Sequence, residues 1–212
     1  MRADVPVFPE RKLGGHFQAH EGGWNPSARI IEMSIDGVFQ EVRYPSLVMN
    51  LFGLEDAALQ QACFAVYNDW LVEYCSVAPD RLFGVAMIST FDVPAAVAEL
   101  TRCKAAGLIG AMVWEVPPPV LSFASNHYDD LWTAAEALEM PVSLHILTGH
   151  PYNVGRVLPT PIPLTYSAWH ANNLVFEASN AIGVSSRAAS SSGSLGCDSS
   201  SSRVRRAGSR SS

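Results

Sequence analysis

The fold is decided by the stretch LFGVAMISTFDVPAAVAELTRCKAAGLIGAMVW, residues 82–114. Its first apolar run, 82–88, is too short for a core helix and rich enough in apolar residues for a strand buried on both faces. Asp92 begins an amphipathic stretch, which predicts a helix that ends at Gly107. A second apolar run predicts a strand over 108–114. A strand, a helix and a strand in this order form a βαβ unit, whose two strands are parallel.

The same alternation extends to both sides of this unit. Asn25 is predicted as the N-cap and Pro26 as the first residue of a helix that runs to about Ser34. The other predicted elements are a strand over 38–44, a helix over 54–77, a proline-rich loop at 117–119, a helix over 129–139 and a strand over 142–147. Alternating strands and helices of this kind define the α/β class, in which helices cover a parallel sheet.

Two architectures satisfy this order of elements, the doubly wound sheet and the (β/α) barrel. Doubly wound proteins that bind dinucleotides or phosphates carry G-x-G-x-x-G after a strand, or G-x-x-x-x-G-K-S/T. Neither pattern occurs at such a position in this sequence. We therefore predict a partial (β/α)8 TIM barrel, roughly its first half.

The last 28 residues differ in composition from the rest of the chain. From Ser185 to Ser212, 13 residues are serine, five are arginine and one is aspartate, with almost no large apolar residue. Such a segment cannot bury enough apolar surface to fold, and we predict that it is disordered. The predicted organisation is an N-terminal extension over 1–21, a β/α portion over 22–184 and a disordered tail over 185–212.

The charge and the apolar pattern exclude some classes of partner. The net charge is −6; the tail contributes +4, so the residues before it carry −10, and an acidic body is not expected to bind nucleic acid. No apolar run reaches the roughly 18 residues of a membrane span, and the N-terminus lacks a signal-peptide pattern. We expect a cytoplasmic protein. Its four cysteines lack metal-type spacing and are expected to be buried, reduced thiols: Cys63, Cys75, Cys103 and Cys197.

His145 lies near the carboxyl end of the last predicted strand. In parallel β/α folds the functional residues sit at the carboxyl ends of strands and in the loops that follow. A neutral imidazole is the commonest side-chain ligand for zinc and similar ions, and a strand end fixes its direction. The residues alone leave two interpretations open, a metal ligand and a histidine satisfied within the core.

Several short motifs occur in a fixed order between residues 22 and 149. They are Gly23-Trp24-Asn25-Pro26, Asp36-Gly37-Val38, Glu41-Val42, Tyr44-Pro45-Ser46, Tyr67-Asn68-Asp69-Trp70-Leu71, Pro79-Asp80-Arg81-Leu82, Gly110-Ala111-Met112 and Pro141-Val142-Ser143-Leu144-His145. Together they resemble the amidohydrolase-related family of metal-dependent TIM-barrel hydrolases. That family includes aminocarboxymuconate semialdehyde decarboxylase and other non-oxidative decarboxylases of aromatic acids.

The resemblance implies a (β/α)8 barrel that holds one divalent metal ion, zinc or manganese, at the carboxyl ends of its strands. In the family the metal polarises a substrate carboxylate or lowers the pKa of a bound water. The family's ligands are an H-x-H pair on the first strand, a histidine on a middle strand and an aspartate on a late strand. His145 matches the middle-strand histidine.

The rest of that ligand set has no match in the sequence. His16 and His20 are four residues apart rather than an H-x-H pair, and a solvated segment is the alternative to metal binding there. His150 and His170 match no position of the family. A complete barrel takes roughly 250 residues, so we expect a truncated start and a replaced end, which puts activity in doubt.

Three further residues are candidate substrate contacts. Trp114 and Glu115 end a predicted strand and precede the proline-rich loop, so they are predicted to line a pocket, with a stiff surface loop as the alternative. His127 is predicted to reach into the same site, or else to lie in a loop where Asn126 or Asp129 caps the next helix. No catalytic acid or base is assigned.

Two functions follow from these observations. The first is a metal-dependent hydrolase or non-oxidative decarboxylase of a small carboxylated or aromatic substrate, with His145 as metal ligand. The second is a non-catalytic half-barrel that serves as a binding or oligomerisation module, because its uncovered strand edges and helix faces predict a homodimer. About one metal ion per chain indicates the first function, and no metal indicates the second.

Overall fold

The computed structural model describes residues 20–149, without the side chains of Ile146 and Leu147. The predicted disordered tail, all but the end of the predicted N-terminal extension, and Cys197 lie outside these residues. The helices are α1 (Pro26–Ile35), α2 (Ala57–Ser76), α3 (Val93–Ala105) and α4 (Asp129–Ala137), and the strands are β1 (Glu41–Arg43), β2 (Leu82–Met87), β3 (Gly110–Val116) and β4 (Val142–Gly149). Short 3-10 helices lie at Glu21–Gly23, Leu47–Gly53, Pro119–Leu121 and Asn126–Tyr128.

The four strands form one parallel sheet in the order β1-β2-β3-β4. Each strand therefore pairs with the next one along the chain, whereas a doubly wound sheet reverses its strand order at a switch point. The sheet curls, and the prediction of a partial barrel, roughly a half-barrel with helices outside, is confirmed.

Polar caps set the starts of three helices. The Asn25 side chain accepts hydrogen bonds from the backbone N–H groups of Ser27 (3.0 Å) and Ala28 (3.3 Å), as the sequence predicted. Asp56 and Asp92 accept one such bond each at the starts of α2 and α3. These side chains satisfy donors that have no partner inside the helix, and so fix where each helix begins.

The connection from α3 to β3 corrects one predicted boundary. Gly107, with φ of +96°, donates to the Lys104 carbonyl, and Leu108 donates to the Cys103 carbonyl. This pair of bonds is a Schellman motif, and Leu108 and Cys103, the two positions of its usual apolar contact, are both buried. Leu108 therefore belongs to the helix cap, and β3 begins at Gly110 rather than at residue 108.

Strand β1 is shorter than the predicted span of 38–44. Only Glu41–Arg43 pairs with β2, because the carbonyls of Val38 and Phe39 instead accept hydrogen bonds from the Arg81 guanidinium. After β1, Pro45 has no N–H to donate to a ladder.

A buried side-chain amide hydrogen-bonds the edge of β2 at a point where β1 has already ended. The Asn68 side chain, fully buried on α2, accepts from the Met87 backbone N–H (2.8 Å) and donates to the Met87 carbonyl (2.9 Å). It thus satisfies the edge of β2 beyond the last residue of β1. Gln60 lies about two turns earlier on α2. Its side-chain amide donates to the carbonyls of Leu51 and Leu54.

The core lies between β2, β3 and the helices that cover them. Its largest fully buried side chains are Met33, Phe52, Phe64, Leu71, Leu82, Met87, Ile88, Leu100, Leu108, Met112, Trp114 and Tyr128. Cys75 and Cys103 are buried, Cys63 is half-buried, and all three are free thiols. Across residues 20–149, no helix is both long and apolar enough to cross a membrane.

Candidate active site at the carboxyl ends of β3 and β4

Trp114 lies near the carboxyl end of β3 and is 1% exposed. Its indole Nε1–H donates to the Tyr128 hydroxyl (3.1 Å), and the Phe91 ring meets it edge-on with centroids 4.8 Å apart. Phe91 belongs to the loop after β2, and Tyr128 ends the loop after β3. The indole therefore joins two loops at the end of the sheet where β/α folds carry their sites.

Tyr128 holds the long loop between β3 and α4 in place. Its hydroxyl donates to the Leu121 carbonyl (2.7 Å) while it accepts from Trp114. Burial raises the pKa of Tyr128 to about 12, so the hydroxyl keeps the proton that it donates. The loop is consequently fixed to β3 by one buried phenol.

His127 lies half-buried in the same loop, with its ring edge-on to Tyr128. Its Nε2 is 2.8 Å from the Thr90 carbonyl oxygen. A carbonyl can only accept, so Nε2 carries the proton and, in the neutral ring, Nδ1 holds the lone pair. The alternative role for this segment was wrong: the residue that caps α4 is Tyr128, which makes no side-chain cap bond, rather than Asn126 or Asp129.

Glu115 follows Trp114 on β3 and is also 1% exposed. Successive side chains of a strand point to opposite faces, so Glu115 and Trp114 do not share a face of the sheet. The Glu115 backbone N–H donates to the Thr148 hydroxyl of β4 (2.9 Å). This bond spans a register shift, in which β4 advances four positions from His145 to Gly149 while β3 advances two from Trp114 to Val116.

His145 lies inside β4, which runs two residues further than its predicted end. It is half-buried and pairs with Trp114 in the register of β3 and β4. Its carbonyl accepts from the Thr148 hydroxyl (2.6 Å). Paired residues of parallel strands point to the same face, so His145 and Trp114 are neighbours on the inner, concave face of the sheet.

Trp114, His127 and His145 therefore gather at one end of the sheet, with Tyr128 between the first two. Sequence analysis missed Tyr44, whose hydroxyl lies 3.2 Å from the Ser143 Oγ on the inner face of β4. Tyr44 begins the Tyr44-Pro45-Ser46 motif at the end of a predicted strand, which was the available signal.

The described residues supply only one of the predicted metal ligands. Between residues 20 and 149, no three His, Cys, Asp or Glu side chains lie together as a metal site would require. His20 is instead 3.0 Å from a Glu32 carboxylate oxygen, on the surface. His16, His150 and His170 lie outside the described residues.

A parallel sheet in which each strand pairs with the next one along the chain is the arrangement of the β/α-barrel fold. The family model for amidohydrolases matches residues 16–180. That match covers more than half of the sequence, and this chain belongs to the amidohydrolase family.

Among curated proteins, the chain is similar to gamma-resorcylate decarboxylases. Those of Rhodococcus jostii (strain RHA1) and Rhizobium sp. (strain MTP-10005) are 33% and 32% identical to it in alignments of 127 residues. Each alignment covers 51% of this chain, and 38% and 37% of the respective relative. The chain thus spans less than half the length of these relatives.

Solved structures share the fold. A 2,6-dihydroxybenzoate decarboxylase in complex with 2,6-dihydroxybenzoate is 23% identical, with a TM-score of 0.53, over 70% of this chain and 50% of that one. A dihydroxybenzoic acid decarboxylase from Polaromonas sp. JS666, with bound manganese and 2-nitroresorcinol, is 25% identical, with a TM-score of 0.50, over 56% of this chain and 37% of that one.

Proposed function

We propose that this chain is part of a metal-dependent decarboxylase of small aromatic carboxylates, with His145 as one metal ligand. The observation that carries the proposal is the position of His145, which is half-buried on the inner face of β4 in an amidohydrolase-family sheet. Its curated relatives are named as decarboxylases of such an acid. A divalent ion at this site would polarise the carboxylate of the substrate.

One histidine does not make the whole site. A catalytic zinc normally has about three protein ligands, and residues 20–149 offer no such group. The remaining ligands would come from residues outside this range or from a partner chain. We assign no catalytic acid or base to the described residues.

The other predicted site residues would act around His145. Trp114 is enclosed by Phe91 and Tyr128, so it would shape the wall beside the histidine rather than offer an open surface. The Glu115 side chain points to the opposite face of β3, so it would influence the site through that strand rather than by contact with the substrate. His127 is the most accessible of the three, and we propose it as the substrate contact from the loop.

Metal content tests the proposal directly. We expect about one zinc or manganese ion per chain in the purified protein, and loss of that ion in His145→Ala. His20→Ala is the matched control, because His20 is a surface histidine paired with Glu32, and it should keep the ion. Elemental analysis gives the stoichiometry, and carbon dioxide release from 2,6-dihydroxybenzoate gives the reaction. Absence of metal from all three proteins after incubation with both ions would reject the proposal.

A second candidate is a non-catalytic half-barrel that binds another copy of itself. On β1, which is an edge strand within residues 20–149, Val42 is 46% exposed. Exposed apolar strand edges favour pairing with another chain. A metal-free homodimer in size-exclusion chromatography with light scattering would support this candidate over the enzyme.

A further inference from the structure

The Tyr44 and Ser143 side chains connect the two outer strands of the sheet. Tyr44 directly follows the last residue of β1, and Ser143 is the second residue of β4. Their hydroxyl oxygens are 3.2 Å apart although 99 positions separate them in the chain. Because β2 and β3 lie between these strands, the Tyr44 side chain must cross the concave inner face to reach β4.

This hydroxyl pair lies close to His145. Ser143 and His145 are two residues apart on one strand, so both side chains point to the inner face, roughly 6–7 Å apart along the strand. Tyr44 is 50% exposed and Ser143 is half-buried. A small molecule held at His145 would therefore find the two hydroxyls on the same face.

The pair has a defined hydrogen-bonding capacity. Each hydroxyl carries one donor proton and two acceptor positions. One proton is used between Tyr44 and Ser143, so the pair keeps one proton to donate and several lone pairs to accept. A ring hydroxyl of a ligand both donates and accepts and matches this capacity, whereas an unsubstituted ring edge leaves it unused.

We infer that the Tyr44–Ser143 hydroxyl pair is a specificity-determining contact, which selects aromatic carboxylates that carry a ring hydroxyl. The inference rests on the proposed function, in which the carboxylate of the ligand is held at the metal beside His145. A site that hydrogen-bonds a substrate hydroxyl binds an analogue without that hydroxyl less tightly, because the analogue cannot form the bond.

Calorimetric binding to the manganese-loaded full chain tests the inference without needing turnover. The probes are 2,6-dihydroxybenzoate and benzoate, which differ only in ring hydroxyls. In Tyr44→Phe we expect the preference for 2,6-dihydroxybenzoate over benzoate to fall about five- to tenfold, the usual effect of one hydrogen bond. Ser143→Ala should lower it similarly, and serves as the second variant if Tyr44→Phe folds poorly.

Tyr67→Phe is the matched control, since it removes a phenol hydroxyl from α2, and its preference should stay within about twofold of the wild-type value. An unchanged preference in both Tyr44→Phe and Ser143→Ala, with normal binding by the wild-type chain, would overturn the inference and leave the proposed function standing. A wild-type chain that binds manganese but neither acid would overturn the proposed function, and the inference with it.

Discussion

The central and the outer strands of this sheet differ in what they bury. In β2 and β3, Leu82, Met87 and Met112 are at most 1% exposed. On the outer strands, Val42 of β1 is 46% exposed and His145 of β4 is half-buried. The central strands supply most of the packing, and the flanking strands carry the more accessible side chains. The comparison teaches that substitutions buried under β2 should act mainly on stability, whereas substitutions of accessible side chains on the outer strands should act mainly on binding.

The largest effect on stability is expected from Asn68→Leu, which removes the hydrogen bonds between α2 and the central strand β2. Leucine fills a similar volume but leaves the Met87 N–H and carbonyl without partners inside the core. Each unsatisfied buried group costs about 1–3 kcal/mol, so we expect the free energy of unfolding in urea to fall by about 3 kcal/mol.

The neighbouring Asp69→Asn is the control for that experiment. Asp69 pairs with Arg102 on the surface, and exposed pairs contribute at most about 1 kcal/mol. If Asn68→Leu were no more destabilising than Asp69→Asn, the amide would not be holding β2.

A smaller effect is expected from Gly84→Ala, which tests packing between β2 and its covering elements. A Cβ at residue 84 would lie 2.7 Å from a Leu108 methyl and 2.8 Å from Leu71. Overpacking of this kind costs about 1–3 kcal/mol, and we expect a loss of about 2 kcal/mol in urea unfolding. Gly23→Ala, where a Cβ meets nothing within 4 Å, is the matched control. Equal losses at both glycines would contradict the tight packing of the central strands.

The smallest effect is expected from Tyr128→Phe, where the scaffold meets the site. Removal of this hydroxyl leaves the Trp114 indole N–H and the Leu121 carbonyl unpaired. We expect a loss of about 1–2 kcal/mol at about pH 8, measured by urea unfolding.

The effect of Tyr128→Phe should depend on pH. Burial raises the pKa of Tyr128 to about 12, above the value of about 10 in an unfolded chain. The folded state holds this proton more tightly, so the tyrosine's contribution is complete below about pH 10 and is lost as the pH rises towards 12. The difference between wild type and variant should narrow over that range. A difference that stays constant to about pH 12 would argue against a buried, proton-donating phenol.

Sequence patterns predicted the elements well where apolar periodicity is strong. The parallel βαβ order was correct, and β2 was predicted to within one residue, because burial on both faces leaves a continuous apolar run. The Asn25 cap was correct because its side chain can accept from the first free N–H groups of a helix. Periodicity could not distinguish Leu108 in a helix cap from Leu108 in a strand, since both positions are buried. Periodicity also could not identify Asn68 as a buried residue, because a polar side chain on a helix usually indicates a position that faces solvent.

The candidate site was predicted in part. A histidine at a strand end and an aromatic residue at the end of the neighbouring strand indicated His145 and Trp114 as members of one region. Whether they bind metal or substrate stays a prediction. The Tyr44–Ser143 contact could not be predicted, because it depends on how far the sheet curls, which short-range patterns do not encode.

The sequential strand order also has a kinetic consequence. Paired residues lie between 25 and 41 positions apart along the chain, as in Val85 with Gly110 and Glu41 with Leu82. Chains dominated by contacts of short sequence separation close smaller loops and fold faster than chains with distant pairings. During synthesis, β3 can dock on β2 as soon as it leaves the ribosome, and β4 can follow in the same way. The sheet can thus assemble one βα unit at a time, in the order of translation.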